Sequence, residues 1–431
     1  MLKQSLQRIS LMMFTLVFCA ASYAQTLAEK LKDLSPISNV EMLKSADHLE
    51  KLVCTINQQV DWQSNSAGNF EQRIIIKHRG FDKPTVMVTE GYDASYALRL
   101  SYQEELANIL NANLVVVEHR YFNRSVPAPC NWNYLTVANS AGDYHNIRQL
   151  LGKIYPGKWF TTGISKGGST TIYYRAFYPN DVDGTVAYVA PINKSLEDGR
   201  HEPFLKNIKN EAAKKAVFDF QTEVLKRRNT IQPEFEKYCN KKGYTYRTNM
   251  SEIFDLCVLE YEFAFWQWGT KYTKIPPVNS ADEVLLKHLV GISDPDYFSE
   301  QGAGTPFNVQ AMREIGYYGY DCTPFKDYLS IDHAEGYMRR VMIPENLSHI
   351  EFDTNLYEKT MEFLKKSDVP MIFIYGENDP WTSTGVTWLK DLNKKNMHIF
   401  IDPEGSHLAR ISTMPHETYK KIVKILEKWT K

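Results

Sequence analysis

The sequence has no excess of charge of either sign, since 50 Lys and Arg residues face 51 Asp and Glu residues. A chain without a basic surplus offers no electrostatic surface for nucleic acid and no polybasic anchor for a lipid surface. We therefore expect neither a nucleic-acid partner nor a stable membrane association. Internal repeats and low-complexity stretches are missing as well. The 43% apolar fraction, with 13% aromatics, is enough for a packed core and argues against global disorder.

Long hydrophobic runs are also scarce, and the one that stands out lies at the N-terminus. Lys3 and Arg8 precede the apolar run 11–21, and Ser22-Tyr23-Ala24 follows it. The run is too short for a comfortable transmembrane helix. A basic start, a short apolar stretch and a small-residue exit are typical of a cleaved secretory signal. We predict a signal peptide over 1–24 and a secreted or periplasmic protein.

Cysteine is sparse, and no cysteines are spaced closely enough to suggest a metal site or a reactive pair. The residues beyond position 24 include Cys54, Cys130, Cys239, Cys257 and Cys322. Without a short-spaced Cys or Cys/His cluster we expect no zinc site, no catalytic thiol and no cofactor. In an oxidising compartment this number predicts two disulfides and one spare thiol. Cys239 and Cys257, which flank a Gly-containing turn region, are the favoured pair.

Strand-like and helix-like segments alternate over much of the chain, and this pattern predicts an α/β fold with a mostly parallel sheet. Predicted strands lie at 73–76, 84–88, 113–117, 159–162, 184–189, 371–375 and 397–401, with predicted helices between them, including one over 384–392. The alternation stops between 193 and 347, where charged and aromatic helical stretches dominate. We predict a core of 25–192 and 348–431, interrupted by a mainly helical cap over 193–347.

A serine motif lies between a predicted strand and a predicted helix. Gly163-Ile164-Ser165-Lys166-Gly167 matches the G-x-S-x-G pattern, and the strand before it ends at Thr162. In a strand–turn–helix setting this pattern forms a strained turn that exposes the serine hydroxyl above the sheet. The sequence therefore predicts an α/β-hydrolase fold with Ser165 as a catalytic nucleophile.

The partners of such a serine follow it in the order acid, then histidine. Asp379 lies in the loop after the strand at 371–375 and is the predicted acid, with Glu377 as the alternative. His407 lies in the turn-rich loop after the next strand and is the predicted base. His398 lies inside that strand and His416 begins a helix, so both are poorer candidates.

Two backbone N–H groups are needed to stabilise an oxyanion. One is predicted to be the N–H of Lys166, directly after the serine. The other is expected in the loop after the strand at 84–88, from Tyr92 or, as second choice, Gly91. We expect the Lys166 side chain itself to form a structural ion pair.

Several further motifs surround the serine turn. They are the segments Val117-Glu118-His119-Arg120-Tyr121-Phe122, Gly163-Ile164-Ser165-Lys166-Gly167-Gly168, Tyr173-Tyr174-Arg175, Tyr178-Pro179 and Tyr188-Val189-Ala190-Pro191. Together they resemble secreted bacterial prolyl tri/tetrapeptidyl aminopeptidases and, more distantly, prolylcarboxypeptidase and its lysosomal relatives. The likeness covers about 70–191 and the Asp379 and His407 loops, and it is weaker in the cap. It implies an exopeptidase that acts on peptides with a free N-terminus, often after proline.

That activity would need a carboxylate for the substrate ammonium and an apolar wall for the proline ring. The segment 259–268 combines Glu260 and Glu262 with several aromatic residues, including Trp266. Because residues two apart point to nearly opposite sides of a helix, only one glutamate should face the cleft, and we favour Glu262. The alternative is that both glutamates are solvated or salt-bridged and the aromatics form cap core.

Glu118 and Arg120 lie at a strand end and allow two interpretations, substrate contact or a structural ion pair beneath the site. Two other functions also fit the motifs. A secreted carboxylesterase or lipase would use the same machinery, and a catalytically inactive relative would only capture peptides. The intact order of Ser, Asp and His argues against the inactive relative. The sequence does not indicate an oligomeric state.

Overall fold

The computed structural model describes residues 25–302 and 304–431, so the predicted signal peptide over 1–24 lies outside the described residues. Within these two ranges, no helix is both long and apolar enough to cross a membrane.

One nine-stranded sheet forms the centre of the protein. Its strands are β1 (Ile37–Leu43), β2 (Glu50–Gln59), β3 (Asn69–His78), β4 (Thr85–Thr89), β5 (Asn113–Val117), β6 (Trp159–Ile164), β7 (Gly184–Tyr188), β8 (Met371–Gly376) and β9 (Met397–Asp402). The spatial order is β1-β2-β3-β5-β4-β6-β7-β8-β9. The first three strands are antiparallel to their neighbours, and all pairs from β5 to β9 are parallel.

Helices cover both faces of this sheet and form a large helical region between β7 and β8. They are α1 (Leu27–Lys32), α2 (Glu105–Ile109), α3 (Val137–Leu151), α4 (Lys166–Phe177), α5 (His201–Lys206), α6 (Glu211–Lys226), α7 (Arg228–Lys242), α8 (Met250–Gln267), α9 (Asp282–Ile292), α10 (Thr305–Gln310), α11 (Asn355–Lys366) and α12 (His416–Thr430). Short 3₁₀ and π turns connect several of them.

The central strands are apolar along their whole length because helices pack on both of their faces. Every residue of β4, β5 and β7 is buried. Side chains still alternate between the two faces: Val115 and Val117 join one hydrophobic cluster, whereas Val116 joins another. This alternation follows from the two-residue period of a strand.

The chain changes direction within the sheet at β4. From β4 it runs outward to β5, and it then returns to place β6 on the other side of β4. In open parallel sheets, ligands bind at the carboxyl ends of the strands beside such a switch point. The loops after β4 and β6 therefore border the expected site.

The region between β7 and β8 contains no strand among its described residues, and α5 to α11 lie within it. Helices α6, α7, α8 and α9 pack on one another, whereas α11 packs on α4 of the sheet layer. This pattern suits the predicted cap. The boundaries at 193 and 347 stay a prediction.

Some elements were not predicted from the sequence, and one predicted helix was wrong. Strands β1 and β2 were not predicted, although Leu52, Cys54 and Ile56 are buried with the two-residue period of a strand. The segment predicted as a helix over 384–392 forms 3₁₀ turns instead. A second helix, α7, directly follows α6.

The predicted disulfide between Cys239 and Cys257 is not present. Both residues are free thiols in the helical region, Cys239 on α7 and Cys257 on α8. Burial raises the pKa of the Cys239 thiol to about 11, and burial also raises that of Cys257. Their buried surroundings keep both groups in the thiol form. The three other described cysteines, Cys54, Cys130 and Cys322, are free as well.

Candidate active site

Ser165 lies in the tight turn that joins β6 to α4. Its backbone has φ 58° and ψ −123°, a conformation that residues other than glycine rarely adopt. The Ser165 N–H donates to the Tyr188 carbonyl at 2.9 Å, which fixes the turn to the end of β7. Strain of this kind persists only where the surrounding structure enforces it, and it is typical of functional sites.

Two glycines make the turn sterically possible. A Cβ on Gly163 would lie 2.1 Å from the Gly167 carbonyl oxygen, and a Cβ on Gly168 would lie 2.6 Å from the Tyr188 carbonyl oxygen. Both distances are far below van der Waals contact. The glycines of the motif therefore allow α4 to start directly over the sheet, where its N–H groups face the site.

Asp379 and His407 form a hydrogen-bonded pair at the carboxyl ends of β8 and β9. His407 Nδ1 lies 2.7 Å from Asp379 Oδ2, and both side chains are buried. The other carboxylate oxygen, Oδ1, accepts the Trp381 N–H at 3.1 Å. The His407 N–H donates to the Gln267 carbonyl at 2.9 Å, which ties the histidine loop to the end of α8.

The second ring nitrogen of His407 is buried and has no hydrogen-bond partner among the described residues. His407 lines a cavity that Ser165 also lines, so the structure brings the predicted serine and base to one space. The alternative acid, Glu377, instead forms a surface ion pair with Lys209 at 3.1 Å. His398 stacks on Trp429, away from this cavity.

The predicted oxyanion donors lie side by side. Neither the Lys166 N–H nor the Tyr92 N–H donates to an acceptor in the described part of the chain. The loop after β4 approaches the start of α4 very closely, because a Cβ on Gly91 would lie 2.6 Å from Lys166 Cγ and 2.9 Å from the Gly167 nitrogen. Gly91 is thus needed for this close approach.

The Lys166 side chain does not form the predicted ion pair. Its Nζ donates to the Gly91 carbonyl at 2.5 Å and lies over the rings of Tyr92 and Phe122, 5.3 and 5.1 Å from their centroids. Burial lowers the pKa of Lys166 to about 7, against the opposing effect of Glu90 and Glu314. A carbonyl and two aromatic faces replace the expected carboxylate partner.

Ser165 and Lys166 line a cavity of about 520 Å³ that reaches into the helical region. We call it the aromatic cavity, because its walls include Tyr92, Trp268, Tyr297, Tyr317, Tyr318 and Trp381. Its volume lies in the range of small-molecule sites. Glu260 is one of the few acidic residues on its surface.

Glu260, and not Glu262, faces the aromatic cavity. The hydroxyls of Tyr318 and Tyr320 both donate to Glu260 Oε2 at 2.8 Å, and Oε1 has no hydrogen-bond partner in the described ranges. Burial raises the pKa of Glu260 to about 7. Glu262 lies on another side of α8, in a separate small cavity near Lys206. The preference for Glu262 was wrong because the rotation of α8 turns it away.

Trp266 was also placed wrongly, since it lines a different cavity beside Thr270 and Glu377. Trp268 and Trp381 do reach the site, and their ring centroids lie 6.2 and 6.4 Å from that of His407. Neither was predicted as a site residue. Trp381 follows Asp379 by two positions, which is the signal that could have identified it.

A second cavity, of about 750 Å³, meets the aromatic cavity at Ser165. We call it the acidic cavity, because its lining includes Glu90, Glu104 and Glu105. Tyr92, Ser165, Gln267 and Trp268 line both cavities. His407 lines only the acidic cavity of the two. The serine therefore lies between two chemically different spaces.

Glu118 and Arg120 form buried ion pairs and line neither cavity. Glu118 pairs with Arg73 and accepts the Ala94 N–H at 3.1 Å. Arg120 binds both oxygens of Asp143 at 2.7 Å, and also donates to three backbone carbonyls. These contacts therefore fit the structural interpretation of the two residues, and they do not fit the interpretation as substrate contacts.

We expect Arg120→Met to lower the free energy of unfolding by about 3–5 kcal/mol, since it leaves the buried Asp143 carboxylate without its partner. Denaturant unfolding followed by fluorescence measures this change. Lys158→Met is the control, because it removes a solvent-exposed pair with Asp183 and should cost less than about 1 kcal/mol. An Arg120→Met cost as small as that of Lys158→Met would contradict the structural role.

The sheet order, the strained serine between β6 and α4, and the buried Asp379–His407 pair after later strands define the class of the protein, a serine hydrolase of the α/β-hydrolase fold. The sequence relationships narrow the class further. The chain belongs to the PS-10 peptidase S37 family, which matches residues 22–430.

Two sequence relatives agree with this assignment. The prolyl tri/tetrapeptidyl aminopeptidase of Streptomyces mobaraensis is 30% identical over 391 residues, which cover 88% of this chain and 80% of that protein. The lysosomal Pro-X carboxypeptidase of Bos taurus is 22% identical over 423 residues, which cover 82% of this chain and 81% of that protein. Among solved structures, the proline iminopeptidase of Mycobacterium smegmatis aligns with a TM-score of 0.42 and 12% identity, over 91% of this chain and 99% of that one.

Proposed function

We propose that the protein is a secreted serine exopeptidase that releases tripeptides or tetrapeptides from free N-termini, with a preference for cleavage after proline. The single observation that carries the proposal is the position of Glu260 in the aromatic cavity that Ser165 also lines. The Streptomyces mobaraensis relative supports the same activity. The predicted signal peptide supports secretion.

The proposed reaction is acyl transfer to Ser165. His407 accepts the serine proton at Nε2, and the Asp379 carboxylate holds the ring with Nδ1 protonated. The Lys166 and Tyr92 N–H groups, which have no other acceptor among the described residues, stabilise the oxyanion. His407 then returns the proton to the leaving amine, and water hydrolyses the acyl-enzyme.

The two cavities suggest how a peptide lies across Ser165. The general acid must reach the leaving nitrogen, and His407 lines the acidic cavity alone. The leaving peptide therefore belongs in the acidic cavity, and the acyl part belongs in the aromatic cavity. A short peptide there would bring its ammonium group to Glu260.

A buried carboxylate without a cation is costly, and this favours a cationic ligand at Glu260. Its Oε1 has no hydrogen-bond partner within 25–302 and 304–431, and Tyr318 and Tyr320 hold Oε2 in place. The aromatic rings of Trp268, Trp381 and Tyr317 offer flat apolar walls for a proline ring. A carboxylate beside apolar aromatic walls fits a short peptide with an N-terminal amine.

The test compares release of 4-nitroaniline from Ala-Ala-Pro-4-nitroanilide with release from its N-acetylated form. We expect kcat/KM for the free amine to be at least about 10²-fold higher, in line with the cost of losing a buried charge pair. Ser165→Ala should abolish both reactions. Equal rates on both substrates would overturn the exopeptidase proposal, and hydrolysis of 4-nitrophenyl butyrate alone would indicate an esterase.

Glu260→Gln should reduce the ratio of kcat/KM between the free and acetylated substrates from about 10² to below about 10, because it removes the charge that binds the ammonium group. Glu262→Gln is the matched control. Glu262 lies on the same helix but outside the aromatic cavity, so its variant should keep the ratio. A ratio that survives in Glu260→Gln and falls in Glu262→Gln would assign the amine site to the other glutamate.

A further inference from the structure

The acidic cavity has more acidic than basic side chains on its described lining. Glu90, Glu104 and Glu105 line it, and Arg410 is the one Lys or Arg residue among its described lining residues. None of the three glutamates lies within 4.0 Å of a cationic side chain in the described ranges. The cavity therefore has an electrostatic preference for a positively charged occupant.

Glu105 is already satisfied by the protein. Its carboxylate accepts the Tyr188 hydroxyl at 2.8 Å and the Ile411 and Ser412 N–H groups at 3.1 and 2.8 Å. Arg410 also lies close enough to Glu105 for the two charges to attract each other. Glu105 thus acts as a structural link between α2 and the loop after β9.

Glu90 and Glu104 are different, because among the described residues only neutral donors from neighbouring positions of the chain bind their carboxylates. Glu104 Oε2 caps α2 through the Ala107 N–H at 2.5 Å, and Glu90 Oε1 accepts the Tyr96 hydroxyl. Burial raises the pKa of each carboxyl to about 7. A nearby cation would favour the ionised form of both groups.

An independent feature indicates that this cavity receives part of a ligand. The buried Nε2 of His407 has no partner among the described residues, and His407 lines this cavity and not the aromatic one. A general acid needs the leaving nitrogen within hydrogen-bond reach. The occupant of the acidic cavity is then the peptide segment that follows the scissile bond.

We propose that the acidic cavity is the subsite for the leaving peptide, and that Glu90 and Glu104 make it select a lysine or arginine side chain at the first or second position after the scissile bond. This inference rests on the proposed exopeptidase function and adds a specificity for the leaving side. Tyr96 and Tyr102, on the same lining, supply aromatic surface against which the aliphatic stem of such a side chain can pack.

The test uses the pentapeptide amides Ala-Ala-Pro-Arg-Ala and Ala-Ala-Pro-citrulline-Ala, since citrulline has nearly the shape of arginine but no charge. Cleavage is followed by mass spectrometry of the released Ala-Ala-Pro. We expect kcat/KM to be about 10-fold higher for the arginine peptide. In Glu104→Gln, which keeps the helix cap, and in Glu90→Gln, the preference should fall below about 3-fold. Glu262→Gln, outside this cavity, should retain it.

The outcomes separate this inference from the function on which it rests. Equal cleavage of the two peptides by the unmodified protein would overturn the leaving-side subsite while leaving the exopeptidase intact. A preference that persists in both Glu90→Gln and Glu104→Gln would also overturn it. If Ala-Ala-Pro-4-nitroanilide is not cleaved, the proposed function itself fails.

Discussion

Replacement of Asp379 by Asn should lower kcat about 10⁴-fold and leave KM almost unchanged. The Asp379 carboxylate accepts a hydrogen bond from His407 Nδ1 at 2.7 Å and is fully buried. An asparagine amide can instead present its NH₂ to this nitrogen and so hold the ring with its proton on Nε2. A histidine in that tautomer cannot accept the proton of Ser165. Steady-state kinetics on Ala-Ala-Pro-4-nitroanilide measures the effect.

The control is Glu377→Gln, which changes the alternative acid of the same loop. Glu377 is paired with Lys209 on the surface, so we expect kcat to change less than about 3-fold. A large loss in Glu377→Gln together with a small loss in Asp379→Asn would reverse the assignment of the acid. The Asn variant should also react more slowly with a fluorophosphonate, because that reaction needs the same activated serine.

Replacement of Lys166 by Met should lower kcat about 10²-fold, an effect comparable to the loss of one oxyanion donor. The Lys166 ammonium binds the Gly91 carbonyl at 2.5 Å. That carbonyl and the Tyr92 N–H belong to the same peptide group. The ammonium therefore fixes the plane of the peptide that donates to the oxyanion and polarises its N–H. Methionine keeps the contact with the Tyr92 and Phe122 rings but removes the charge.

A positioning role for Lys166 predicts more than reduced activity. The affinity for Ala-Ala-boroproline, whose tetrahedral adduct places an oxygen in the oxyanion hole, should fall in proportion to kcat. The affinity for the product Ala-Ala-Pro should stay within about 3-fold. Lys209→Met, which changes an exposed lysine, is the control. A loss confined to KM in Lys166→Met would contradict the role.

Much of the sheet could be predicted because its strands are short, apolar and bounded by turn residues. The predicted strand at 113–117 has the same bounds as β5, and those at 371–375 and 397–401 miss one residue each. The hairpin strands β1 and β2 were missed because they are partly exposed and rich in polar residues. The segment 384–392 has a helical pattern, but it is held as 3₁₀ turns between β8 and β9.

Ser165, Asp379 and His407 could be predicted from the sequence, because a local motif and the order of residues along the chain indicate them. The substrate-facing residues depend on tertiary packing. The sequence gives no reason to prefer Glu260 or Glu262. Only the rotation of α8 against its neighbours decides which of the two lines the aromatic cavity. The acidic cavity joins α2 to loops that are far apart in the chain, and no local pattern indicates such a contact.

The position of the helical region between β7 and β8 also affects how the protein is made. These two strands are neighbours in the sheet, yet residues 189–370 separate them in the chain. During translation, β7 emerges long before the strand that covers its edge, and every residue of β7 is buried in the finished protein. Pairing across so long a connection is slow, and an uncovered edge promotes association between chains. We therefore expect early folding of the helical region, or a chaperone, to protect that edge until β8 is synthesised.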